Sequence, residues 1–133
     1  MRLPALVALT SLASVALAAA ARPAAASTTI VGGNVVNQTW NPAGSPYIVQ
    51  GDVTVPAGAF LTIEAGTTIQ LATGDMQGSG ADVGRVELIV KGTLTVDGTA
   101  QSPVTFAGQI ATPGAWYGIE IDATATAATI AHA

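Results

Sequence analysis

Few residues in this chain are equipped for chemistry, and their types restrict the reactions open to it. His132 is the sole histidine and lies one residue from the end. A general base needs an orienting partner and a pocket to work in. No spacing in the sequence supplies either, so a Ser/His/Asp relay has no support and His132 reads as a repeat position at a rim. Cysteine is absent, which removes disulfides and a lipidated-cysteine anchor and, with one histidine, leaves no zinc-ligand set. Carboxylates remain. Glu64, Glu87 and Glu120 fall at polar positions of alternating apolar segments, which predicts side chains on an outer face. Cleaving a glycosidic bond by acid–base chemistry takes two carboxylates about 5–10 Å apart, a distance that spacing does not fix. The plainer reading is a solvated face that keeps the protein soluble. A lyase would also want an acidic cluster and a base to take the proton, and only Arg85 and Lys91 follow residue 22 as cations. No catalytic residue is therefore assigned.

Two other groups of residues suggest binding. The segment 72–84, Ala-Thr-Gly-Asp-Met-Gln-Gly-Ser-Gly-Ala-Asp-Val-Gly, is the one long insertion, and Gly78-Ser79-Gly80-Ala81-Asp82 echoes part of a glycine-rich calcium repeat. Asp75 and Asp82 are weak candidates for holding Ca²⁺ through oxygen ligands; otherwise the segment is a plain surface loop, and no cofactor is expected. Trp116, Tyr117 and Glu120 are the candidate ligand contacts, since flat rings pack on sugar faces. The competing expectation is that Trp40 and Tyr47 cover one end of the fold while Trp116 packs at a corner. Outward Thr54, Thr62, Thr95 and Thr105 raise an ice-binding ladder, which the single threonine per segment disfavours. Asn37-Gln38-Thr39 fits a glycosylation sequon, a signal common by chance.

The N-terminus sets the compartment. A basic Met1-Arg2 start, an apolar or small run to Ala21, and Ala24-Ala25-Ala26 before Ser27-Thr28-Thr29 read as a secretory signal peptide, residues 1–26. A retained membrane anchor is the alternative, disfavoured by alanine richness, by Pro4 and Pro23, and by the missing basic flank. Cleavage leaves 107 residues, 27–133, enough for one small domain. Arg85 and Lys91 then face eight acids, for a formal charge of −6. Nucleic acid is excluded as a partner, because phosphate binding needs clustered Lys and Arg; an anionic membrane surface is disfavoured for the same reason. With half its residues hydrophobic, the chain is not expected to be disordered.

These side chains must be positioned by strands. Tyr47-Ile48-Val49, Val53-Thr54-Val55, Leu61-Thr62-Ile63, Ile69-Gln70-Leu71, Val86 to Val90, Leu94-Thr95-Val96, Val104-Thr105-Phe106 and Ile119-Glu120-Ile121 alternate apolar with polar. That is the period of a strand with one buried face. No segment after residue 27 keeps a helical period. Corners are short and marked by Gly51, Pro56-Ala57-Gly58, Glu64-Ala65-Gly66, Gly92 and Asp97-Gly98. Five further residues after Asp97-Gly98 make a tight hairpin there unfitting. Very short strands and short corners suit a stacked coil better than an antiparallel sandwich.

Residues Tyr47 to Ile69, Leu88 to Phe106 and Pro113 to Ile121 resemble, in order, the first coils of bacterial secreted and surface right-handed parallel β-helix repeat proteins. Ala65 stands where those usually have proline, and Tyr117 where glycine is usual. The resemblance covers about residue 30 to the end. It implies an all-β, right-handed parallel β-helix of about three to four coils, with 27–45 as lead-in and cap, 46–133 as coils, and a loop insertion at 72–84. Ala128 to Ala133 begins a further repeat, which predicts a fragment whose natural partner is its own C-terminal coils. The implied function is a non-enzymatic extracellular or cell-surface scaffold that meets a polysaccharide or surface ligand. A carbohydrate-active enzyme with its catalytic residues mostly beyond the fragment is the alternative. No transmembrane segment is expected after signal cleavage.

Overall fold

A computed structural model describes residues 26–133; the expected signal peptide lies almost wholly outside the described residues. Twelve strands follow one another with a strict period of three. They are β1 (Thr28–Ile30), β2 (Gly33–Asn34), β3 (Gln38–Trp40), β4 (Tyr47–Val49), β5 (Val53–Val55) and β6 (Phe60–Glu64). Then come β7 (Thr68–Leu71), β8 (Glu87–Val90), β9 (Thr93–Asp97), β10 (Thr105–Gly108), β11 (Gly118–Ile121) and β12 (Ala127–Ala131). Every third strand joins the same sheet, giving β1-β4-β7-β10, β2-β5-β8-β11 and β3-β6-β9-β12. All pairings are parallel. Four coils therefore stack around one apolar bore. Among the described residues the sole helical element is a 3-10 turn at Pro42–Gly44.

Alternation along each strand generates this arrangement. In the first sheet Val49 stacks on Leu71, and Tyr47, Ile69 and Phe106 follow one another. In the second, Val53, Leu88 and Ile119 form one inward row and Val55, Val90 and Ile121 another. In the third, Leu61 stacks on Leu94 and Ile63 on Val96. Val55, Leu61, Ile63, Val90, Leu94 and Val96 are wholly shielded from water, and burying each such side chain contributes about 1.5–3 kcal/mol. The corners permit this only if they stay tight. At Lys91-Gly92 both amides donate to the Val55 carbonyl, at 2.8 and 3.0 Å. A β-carbon at Gly92 would collide with the carbonyls of Ala59 and Pro56 in the coil before it.

Segment 27–45, expected as a lead-in, carries the strands of the first coil: β1, β2 and β3 pair with β4, β5 and β6. Its few apolar side chains hide that role, since Thr28-Thr29-Ile30 and Gly33-Asn34 take their definition from the backbone ladder of the second coil. Trp40 and Tyr47 are buried and stacked, ring centroids 4.9 Å apart.

Candidate functional site

Row by row, the second sheet explains where acids gather. Val53 pairs with Leu88 and Ile119, so the residues just before them, Asp52, Glu87 and Gly118, make one row on the outer side of the sheet. An outward carboxylate is ordinarily wetted. Here both are buried, Asp52 at 2% and Glu87 at 0% exposure, so the expectation that Glu87 faces solvent is corrected. Its direction follows the strand period, but the β7–β8 insertion, residues 72–86, folds down over it.

This insertion works as a strap tied by carboxylates. Asp75 Oδ1 accepts from the Asp52 amide (2.9 Å) and the Gln77 amide (2.8 Å), while its Oδ2 accepts from the Ser79 amide (2.9 Å). Glu87 Oε2 and Oε1 accept from the amides of Ala81 (3.0 Å) and Asp82 (2.7 Å). Asp52 Oδ2 accepts from the Ser79 hydroxyl (2.8 Å), and its Oδ1 from the Glu87 amide (2.8 Å). Hydrogen bonds to charged groups contribute about 1.5–3 kcal/mol each. A β-carbon on Gly80, whose φ is +72°, would meet both Glu87 Oε2 and Asp52 Oδ2. Only glycine lets the strap backbone lie this close to the acid pair.

The charges are tuned accordingly. Burial pushes Asp52 above the usual aspartate value, reinforced by the neighbouring Asp75 and Glu87 and opposed by the Ser79 hydroxyl and the Glu87 amide. Burial also acts upward on Asp75, but the amides of Ser79, Asp52, Gln77 and Gly78 outweigh it and hold the group below the ordinary value. Asp82 is lowered by the Gly84 amide and by Arg85, whose guanidinium contacts Asp82 Oδ2 at 2.6 Å. The same guanidinium lies 5.3 Å above the Tyr117 ring. The far end of the strap is thereby tethered to the fourth coil.

The other candidate residues do not meet at one place. Glu120 is exposed on the second sheet beside Ile89, whereas Glu64 lies on the third sheet beside Asp97. Asp122 accepts from the amide and hydroxyl of Thr124. Trp116 is half-buried against Phe106, centroids 6.1 Å apart, while Tyr117 is exposed. Thr62 and Thr95 share a row with Thr39 and Thr129, but Thr54 belongs to the second sheet and Thr105 to the first. His132 is exposed, and its carbonyl, rather than its ring, is engaged, by the Val104 amide. Among the described residues no group of three or more His, Cys, Asp or Glu is placed to hold a metal ion. Asp75 and Asp82 have their oxygens occupied by the amides and guanidinium named above. A cavity lined by Glu87 together with Trp40, Val53, Ile69, Leu71 and Phe106, among others, measures about 10 Å³. That is about one water, too little for a sugar ring.

Asp52 and Ser79 are the site residues that the sequence reading missed. The signal available was positional: Asp52 and Glu87 each immediately precede an apolar strand segment, one coil apart, on either side of a Ser/Gly-rich insertion.

Fold and site together define a loop-strapped parallel β-helix domain. Residues 33–133 match the family model of the pectate-lyase-like β-helix domain, and the chain belongs to that family. Its coil is accordingly right-handed, the sense preferred where crossovers join parallel strands. No curated protein and no solved structure matches the chain. Among the described residues no helix is long and apolar enough to cross a membrane.

Proposed function

We propose that this domain is a non-enzymatic scaffold of a secreted or cell-surface protein, presenting the strapped corner and its neighbouring loops to a polysaccharide or cell-surface ligand. The observation that carries this reading is the fate of the carboxylates. Asp52, Asp75 and Glu87, gathered at the strapped corner, spend their oxygens on amides and a hydroxyl of the protein itself. Of the remaining acids, Asp82 is held by Arg85, Glu64 and Asp97 pair on the third sheet, and Glu120 stands apart on the second. An acid–base site needs a carboxylate free to reach the proton it moves. Exposed Tyr117 and Glu120, with half-buried Trp116, stand near the strap's far end and are the contacts assigned to such a ligand.

A second reading, carbohydrate cleavage, draws on the family's pectate-lyase likeness and on the adjacent positions of Asp52 and Glu87. One assay separates the two. The purified chain is incubated with polygalacturonate and with neutral polysaccharides, and reducing ends and unsaturated products are measured alongside retention on the same insoluble polymers. Retention without new chain ends, weakened by Tyr117→Ala, is the expected result. Chain cleavage abolished by Asp52→Asn or Glu87→Gln would overturn the scaffold reading.

A further inference from the structure

We propose that the strap, residues 72–86, is a proton-tightened latch whose keeper is the carboxylate pair Asp52 and Glu87 on the second sheet. The pair occupies adjacent positions in neighbouring coils, both side chains are buried, and both lie against Gly80. Neither has a cation among its hydrogen-bond partners. Those partners are the amides of Ala81, Asp82 and Glu87 and the Ser79 hydroxyl. The nearest guanidinium, Arg85, is committed to Asp82 and to the Tyr117 ring. Asp75 adds a third carboxylate, bonded to the Asp52 amide.

Like charges placed beside buried Asp52, away from water, disfavour its ionised form. A proton on Asp52 costs the strap no contact. The carbonyl oxygen still accepts the Glu87 amide, and the new O–H faces Ser79 Oγ, whose hydroxyl rotates from donor to acceptor. Repulsion toward Glu87 and Asp75 falls at the same time. The closed strap therefore binds the proton more tightly than the open one, in which Asp52 meets water. By linkage, its closure strengthens on mild acidification and weakens as pH rises through the folded-state titration of Asp52. Opening would uncover the acid pair on the outer face of the helix.

The test is amide hydrogen exchange by NMR on the full chain, corrected for intrinsic exchange. Ser79, Ala81 and Asp82 report the strap, and Leu61 and Leu94 the core. Strap protection relative to core should fall severalfold as pH is raised through the Asp52 titration. Asp52→Asn, which mimics the protonated side chain, should hold the strap closed across that range. A flat wild-type profile, or an unchanged pH dependence in Asp52→Asn, would overturn the latch. Should that variant lose core protection, Ser79→Ala supplies the decision. Removing the hydroxyl that stabilises the charged form should move the midpoint upward, and an unmoved midpoint refutes the proposal.

Discussion

Asp52 joins two layers of the molecule at a single side chain. Its carboxylate accepts the amide of Glu87 in the next coil and the hydroxyl of Ser79 in the strap, while its own amide is held by Asp75. Truncation to alanine leaves the buried Glu87 amide without an acceptor, at a cost of about 1–3 kcal/mol. The Asp52→Ala variant should show a lower urea midpoint with an unchanged slope, and Asp52→Asn no loss at neutral pH, because its amide oxygen still accepts and it carries no buried charge. Equal losses for the two variants would mean that charge, rather than the hydrogen bond, is the contribution. None of this was legible in the residue itself. After Gly51, an aspartate reads as turn chemistry, and Glu87 in an alternating segment reads as a solvated face. Direction along a strand follows from local period; burial of an outward position depends on what a distant loop covers.

The strap, as an element, is stabilised by groups whose titrations oppose one another. Asp75 has a folded-state pKa below its unfolded value, so it contributes stability that is present above the unfolded value and lost as pH falls through the folded one. Asp52 is raised, so its contribution is present below its unfolded value and disappears as pH rises through the folded one. Acidification from neutrality should therefore first increase stability, then reduce it below the ordinary aspartate range. Partly exposed Asp82 and Asp122 are lowered too and act in the direction of Asp75, weakly because solvent screens them. Urea midpoints measured across the acid range should pass through a shallow maximum. Asp75→Asn should flatten the descending limb, and Asp52→Asn the ascending one. A monotonic wild-type profile would contradict this assignment. The existence of the insertion was plain from the break in strand spacing after Leu71. Its ties were not, because they join Asp75 and Ser79 to a residue more than 20 positions earlier.

On the scale of the whole molecule, repeated apolar pairs such as Val53/Val55, Leu61/Ile63 and Leu94/Val96 made the coil readable, since a bore lined on three sides demands the same short alternation at each wall. The first coil escaped that reading because its strands carry mainly Thr, Gly, Asn and Gln. Its shape comes from pairing with strands that are themselves well specified. In the fourth coil such support comes from one side alone. Among the described residues β10, β11 and β12 each pair with a strand on one side only, and Ile121 and Ile130 are about half exposed. Open strand edges beside apolar side chains are templates for another chain. A polypeptide of residues 27–133 should accordingly self-associate as concentration rises, with sedimentation velocity showing growth beyond the monomer. Ile121→Lys combined with Ile130→Lys should suppress that growth while leaving the β-sheet circular dichroism unchanged, because neither side chain is needed in the bore formed by the first three coils. A wild-type chain that stays monomeric at high concentration would mean that the far edge is shielded, and the charged pair would then have nothing to suppress. Association that persists in the double variant would instead move the contact to the strapped corner, where Met76, Val83 and Tyr117 are also exposed.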